Sequence, residues 1–283
     1  MSHAKRLSRS ADAFRQLTAI TPTVFDTLLA DLTPRYELAE AKRKDRPGRQ
    51  RRPGAGRKHA LDLPNRLLTL LSYYRSYTTH ALLGFLFGVD DSAVGRNINP
   101  LQPILAGIFR IPERRVRLDP EDMRDLFFDA TERGQRAYFS GKRKRHTIKN
   151  QVVTARRTKP PGPGKKPQRI RIAEVCQSSP GSVHDMKLYD WARVVGPPGA
   201  MRMGDMADIG TGLETPARKP KGGELTGARG EASRVISRRR IVVEHGIGRM
   251  KVWRVASERY RNPVRRQTLV MKDVAGSHDM IYA

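Results

Sequence analysis

The sequence predicts an α/β domain preceded by an all-α domain, and three observations carry that reading. Apolar residues between 59 and 110 recur at helical spacing, broken by helix-start signals and one closing glycine. After residue 119 the pattern changes to short apolar or alternating runs, which read as three strands in succession, a helix, a further strand and a long closing helix. Between and around these blocks lie breaks in composition. The expected organisation is a helical lead-in over 1–41, a basic linker over 42–58, a helical domain over 59–118 and the α/β domain over 119–283.

Each element has a local reason. Thr21-Pro22 is a helix start, with threonine as N-cap and proline at the first helical position. Val24, Phe25, Leu28, Leu29 and Leu32 follow at helical spacing, and Pro34 is expected to end the helix. The segment 42–58, KRKDRPGRQRRPGAGRK, carries nine basic residues and one acid, with two prolines and three glycines, and reads as a linker or arm. After Pro64, Leu63, Leu67, Leu70, Leu71 and Tyr74 make one apolar helical face. Thr78 or Thr79 caps a second helix holding Ala81, Leu82, Phe85 and Leu86, which Gly88 closes; Asp90 or Asp91 caps a third, from Ser92 to Ile98. Three short helices with a tight glycine-containing turn match a helix-turn-helix, with Ser92, Arg96 and Asn97 on the recognition helix. A plain three-helix bundle fits the same pattern.

Beyond Pro112 and Pro120, Leu126–Asp129, Thr147–Thr154 and Arg169–Gln177 read as strands, with TKPPGPGKKP as the turn between the second and third. Ser182–Trp191 is a helical signal, Met201–Met206 a further strand and Ser233–Arg254 the longest helix, with Ile236, Val243, Ile247 and Met250 on one face.

Charge narrows the partners. The 283 residues include 55 Lys plus Arg and 28 Asp plus Glu, for a net charge of +27. A globular chain this basic implies nucleic acid, an anionic membrane surface or another polyanion. The arginine-rich clusters suit phosphate, which the planar guanidinium meets with paired donors. With Cys176 the lone cysteine, an internal disulfide and a cysteine-based zinc finger are excluded, and a reducing compartment is expected. No secretory signal is visible after MSHAKRLSRS, and Ala81–Val89, the longest apolar run, is too short to span a bilayer. Aromatic residues are 6% of the chain, too few for a surface that stacks RNA bases.

Acids are scarce after residue 132; from Arg133 to Ala173 there are fourteen Lys or Arg and none. Three acids stand out: Asp129 at the end of the first strand, Asp208 after the later strand and Glu244 on the long helix, where Arg240, Gly248 and Lys251 share its stripe. Carboxylates drawn from distant parts of a chain suit a hard cation such as Mg²⁺ at a phosphoryl-transfer site. Each alone has a simpler reading. Asp129 could be a turn former, and Glu244 an exposed ion-pair partner of Arg240.

Four stretches in order, DATERGQRAYFSGKRKRHTIKNQ, SSPGSVHDMKLYD, MADIGTGLETPARKPKGGELT and SRRRIVVEHGIGRMKVWRVASERYRN, resemble the DDE-type transposases of bacterial insertion sequences, in the group whose endonuclease domain follows a helix-turn-helix. The resemblance spans roughly residues 58–270. It implies an RNase H-like mixed-sheet catalytic domain preceded by an all-α helix-turn-helix domain. It also implies a metal-binding triad of Asp129, Asp208 and Glu244, separated by 79 and 36 residues, holding Mg²⁺ or Mn²⁺ as two ions. A glycine-tyrosine pair usually follows the second aspartate in this family; here Gly210 is followed by Thr211, which leaves Asp205 as a competing second carboxylate. His184 and Asp185 match a further family motif and are expected to support the ligands or touch DNA. Tyr138, Lys142, Arg143, Lys144 and Arg145 are expected to hold the DNA backbone with Arg240 and Lys251.

The activity so implied is cleavage of a phosphodiester at terminal inverted repeats and strand transfer into target DNA, in the bacterial cytoplasm and on the nucleoid. The implied partners are double-stranded DNA and a second copy or higher synaptic assembly of the chain, with no membrane. The alternative is a catalytically inactive or repurposed transposase that binds DNA, favoured by the Thr211 departure.

Overall fold

A computed structural model describes residues 3–45, 59–113, 125–140, 145–156, 170–196, 198–205, 210, 212–218, 220–221, 223–225 and 227–282, with the backbone alone at 125, 131–140, 145, 146 and 156. The chain divides into two compact units, Met1–Arg110 with Val252–Val255, and Ile111–Lys251 with Ala256–Ala283.

The first unit is helical. It holds α1 (His3–Leu7), α2 (Ala11–Thr18), α3 (Pro22–Lys44), α4 (Leu63–Ser76), α5 (His80–Phe87), α6 (Asp91–Ile98) and α7 (Gln102–Phe109). The start signals act through side-chain caps. Thr21 accepts from Val24 N–H at 3.3 Å, Thr79 from Leu82 N–H at 3.3 Å and Asp90 from Ser92 N–H at 2.9 Å. The central helix is α4, buried on nearly every side from Asn65 to Tyr74. Between α5 and α6 the backbones almost touch. A Cβ on Gly84 would stand 2.5 Å from the carbonyl oxygen of Val89, so only glycine allows the turn.

Pro34 does not end α3, which runs on to Lys44. A proline forfeits one helical hydrogen bond and strains the preceding turn. Here tertiary contacts hold the second half. Arg66, 2% exposed on α4, donates to the hydroxyl of Tyr36, and its guanidinium lies 4.8 Å from the centre of that ring. The same side chain donates to the carbonyl of Asn97 through Nε and Nη2 at 3.3 and 3.2 Å, so one buried cation joins α3, α4 and α6.

The second unit is a mixed sheet between helices. Its elements are β1 (Asp125–Ser140), β2 (Arg145–Arg156), β3 (Ile170–Val175), β4 (Ser179–Pro180), α8 (Asp185–Ala192), β5 (Met201–Met203), α9 (Gly227–Met250) and α10 (Gln267–Tyr282). The order is β3-β2-β1-β5, with β4 beside β2. β1, β2 and β3 pair antiparallel, and β5 adds to β1 in parallel, with Phe127 opposite Met203. β1 continues eleven residues past Asp129, so that acid sits mid-strand rather than at a strand end. What stops near Asp129 is the short parallel partner. The run TKPPGPGKKP lies outside the described residues.

Leu126, Phe128, Val153, Ala155 and Ala173 pack on one face against Leu188 and Ala192 of α8. On the other face α9 comes down on Thr154, Ile170 and Ile172 at Gly246. Ile172 N–H donates to Asp279 of α10 at 2.9 Å. The sequence pattern missed α10 because its buried side includes Asp273, Ser277 and His278, which dilute the apolar period.

Two residues in this unit make direct tests. Glu174 is fully buried on β3, and neither carboxylate oxygen has a hydrogen-bond partner among the described residues. Burial, with the charge of Glu113 nearby, pushes its pKa from 4.5 up to about 9. An acid raised in the folded state stabilises the fold fully below about pH 4.5, and that contribution is lost as pH rises towards 9. Glu174→Gln is therefore expected to unfold later than wild type at pH 8–9. The gap should close towards pH 4.5 at a limiting slope of about 1.4 kcal/mol per pH unit, read from denaturant midpoints across pH. Gly181 follows β4 and donates its N–H to Thr147 at 2.8 Å; a Cβ there would fall 1.7 Å from Thr147 Oγ1. Gly181→Ala should cost about 1–3 kcal/mol, measured as a lower urea midpoint with an unchanged slope.

Candidate active site

Leu126, Phe127 and Phe128 are fully buried, which fixes β1 in the middle of the sheet. The parallel register pairs Phe127 with Met203. Two residues further along each strand direction come Asp129 and Asp205. On the other side of β1, Ala130 stands opposite Gln151 of β2. Asp185, the first residue of α8, closes the group. One pocket is lined by Asp129, Ala130, Gln151, Asp185, Leu188 and Asp205.

The electrostatics of the pocket follow from this crowding. Asp129 Oδ1 accepts the N–H of Ala130 at 2.8 Å. Burial pushes the Asp129 pKa from 3.8 up to about 6, and the charges of Asp205 and Asp185 add to the rise. The Ala130 N–H and the guanidinium of Arg240 on α9 oppose it. Asp185 is paired with Lys149 Nζ at 2.9 Å. His184 serves as N-cap of α8, its Nδ1 accepting from Met186 N–H at 3.3 Å. Two carboxylates whose charges raise the proton affinity of Asp129 favour a bound cation beside it, and all three supply hard oxygens of the kind Mg²⁺ and Mn²⁺ take. Among the described residues no three His, Cys, Asp or Glu side chains stand close enough to share one metal ion.

The residues singled out from sequence fall into distinct places. Asp129 and Asp185 share the pocket, and Arg240 acts on Asp129 from α9. Glu244 is exposed one turn further along α9 and is not among the residues lining the pocket. Lys251, just past the end of α9, is also exposed. Asp208, Thr211, Lys142, Arg143 and Lys144 lie outside the described residues. Tyr138 on β1 and Arg145, opposite Ser140 on β2, are described by backbone alone. Asp205, two residues beyond β5, lines the pocket with Asp129, and its charge acts on that residue. On α6, Ser92 and Arg96 are exposed, while Asn97 is only 4% exposed and its amide donates to the Ala93 carbonyl at 2.7 Å. Asn97 is thus turned into the helical core; Val94 and Ile98 share its buried side, which the short period of one eight-residue helix did not separate. Asp90 is held below the usual carboxylate range by its hydrogen bonds from the Ser92 hydroxyl and N–H.

Sequence reasoning missed Lys149 and Gln151. Both lie in a stretch of β2, Thr147–Ala155, that is buried throughout. A polar side chain within a central strand, facing an acid with no local partner, was the available signal.

Comparison with known proteins agrees with this architecture. Residues 122–276 match the model of the family described as DDE superfamily endonuclease, and residues 59–110 match the helix-turn-helix of DDE superfamily endonuclease. A protein of Microchaete diplosiphon, named as a transposase for insertion sequence element IS702, is 28% identical over 294 residues, covering 98% of this chain and 96% of its own. A Streptomyces albus G protein, named as a transposase for insertion sequence element IS112, is 28% identical over 243 residues, covering 84% of this chain and 83% of its own. No solved structure matches. No helix among the described residues is long and apolar enough to cross a membrane. With more than half of its length matched by the endonuclease model, the acidic pocket inside 122–276 and α4–α7 inside 59–110, this chain belongs to the DDE superfamily endonuclease family.

Proposed function

We propose that the chain is a DNA transposase whose second unit is an RNase H-like catalytic domain that cleaves a phosphodiester at transposon inverted repeats and transfers the freed strand. The observation that carries this is the convergence of Asp129, Asp205 and Asp185 at the end of the parallel β1–β5 pair, in a chain of net charge +27. The relatives named as transposases support the same reading.

In this reading Asp129 and Asp205 hold the divalent ions, and Glu244 on α9 completes the ligand set that the motif order implies. Asp208 is the rival of Asp205 for the second position. When bound, Mg²⁺ or Mn²⁺ supplies Lewis-acid activation of the attacking oxygen and neutralises the leaving one. The protein's own groups do the rest. Ala130 N–H fixes one oxygen of Asp129, and Arg240 brings positive charge towards the scissile phosphate. Ser92 and Arg96 on α6 face duplex DNA, and Tyr138, Lys142, Arg143, Lys144, Arg145 and Lys251 neutralise its backbone. The domains are those of the sequence reading, the second copy holds the other transposon end, and the site of action is the bacterial cytoplasm and nucleoid. The second reading, a transposase that binds DNA without cutting it, is favoured by the exposed position of Glu244 and by Thr211.

Metal-dependent cleavage of inverted-repeat DNA tests the proposal. Asp129→Asn should lower cutting by at least roughly 10²-fold while duplex binding stays intact; equal rates from wild type and this variant would remove the enzymatic reading. Asp205→Asn and Asp208→Asn, assayed side by side, assign the second carboxylate to whichever abolishes cutting. Asp129 is ready for a cation only once it has lost its proton, so cleavage at low metal should rise through about pH 6. Raising Mn²⁺ should move that rise to lower pH, because the ion competes with the proton; a profile insensitive to metal concentration would count against Asp129 as a ligand.

A further inference from the structure

Lys149 sits where an ammonium is costly. Its strand neighbours Thr147, Ile148, Asn150 and Gln151 are all buried, and Lys149 itself is 6% exposed. Such a charge is tolerated only when paired and hydrogen-bonded. Nζ donates to Asp185 Oδ1 at 2.9 Å and to the carbonyl of Val183 at 3.1 Å. These two acceptors flank His184, so one side chain grips both the main chain entering α8 and the carboxylate on its first residue. Gly181, pressed against Thr147 on the same strand, brings the turn within reach.

The grip has a direction. An aspartate at the first helical position can turn back to the free N–H groups of its own helix, which attract negative charge. In α8 the His184 side chain already caps one of them, and Lys149 draws the Asp185 carboxylate towards β2. There it lines the pocket with Asp129 and Asp205, close enough for its charge to raise the proton affinity of Asp129.

We propose that Lys149 is a positioning residue that holds the Asp185 carboxylate at the pocket wall, where its charge adds to the field of Asp129 and Asp205 without sharing the divalent cation with them. This rests on the cation-binding reading of the pocket. Lys149 touches neither the cation nor DNA; it acts through Asp185. Asp185 thus contributes charge to the site, and the Lys149 ammonium sets where that charge stands.

The test is Mn²⁺ binding to the full-length protein at pH 8 without DNA, followed by calorimetry, with thermal unfolding in EDTA alongside. Wild type is expected to bind Mn²⁺ and Asp129→Asn to lose binding. Lys149→Met and Asp185→Asn should each weaken it about tenfold or more. The double variant should bind no more weakly than Asp185→Asn alone, since both changes remove one interaction, and Lys149→Arg should keep most of the affinity. A Lys149→Met protein that melts earlier but binds Mn²⁺ as wild type does, while Asp129→Asn has lost it, overturns the role of Lys149 and leaves the site standing. Equal binding by wild type and Asp129→Asn removes the site and the proposal with it. Should Lys149→Met not fold, Asp185→Asn decides: unchanged Mn²⁺ affinity overturns the proposal.

Discussion

The parallel pairing of β1 with the three-residue strand β5 is the constraint on which the catalytic unit depends. Two strands that are far apart in sequence run side by side for three residues, and Asp129 and Asp205, each two residues beyond the last pair, line one pocket. A slip of one residue would turn Met203 out of the buried position it holds, because side chains alternate along a strand. The register is held by burial. Leu126 and Phe128 anchor one face against α8, Phe127 occupies the other, and Met203 is fully buried opposite it. The apolar triplet before Asp129 therefore does more than build a core, since it sets where the acid points.

Much of this was legible in the sequence, because the strongest signals were local. Helix caps are read from one residue and its successors, and Thr21, Thr79 and Asp90 act as caps as their chemistry demands. The succession of β1, β2, β3, α8, β5 and α9 follows from changes in period, though α10 does not. What could not be read depends on partners far along the chain. Pro34 ends a helix by local rules, yet α3 passes through it because Arg66 on another helix holds Tyr36 beyond it. Asn97 is polar by type but buried by the face it happens to occupy.

The carboxylate site divides in the same way. Asp129 announces itself as an acid directly after an apolar run, with the acid-free stretch from Arg133 to Ala173 close behind it. Asp185 and Lys149 do not, because their pairing spans 36 residues and two elements. Asp205 and Asp208 are three residues apart, and no periodicity distinguishes them. Asp205 lines the pocket with Asp129, two residues beyond the register of β5, and no local pattern announces that.

The two ends of α6 are moored by groups that differ in kind from those of the catalytic pocket. At its start stands Asp90, whose carboxylate is stabilised in the charged form by the Ser92 hydrogen bonds. Near its end lies the Arg66 guanidinium, which donates to the carbonyl of Asn97. Mild acid that returns a proton to Asp129 therefore leaves the cap of α6 charged, so the acidic pocket and the start of that helix answer to different ranges of acidity.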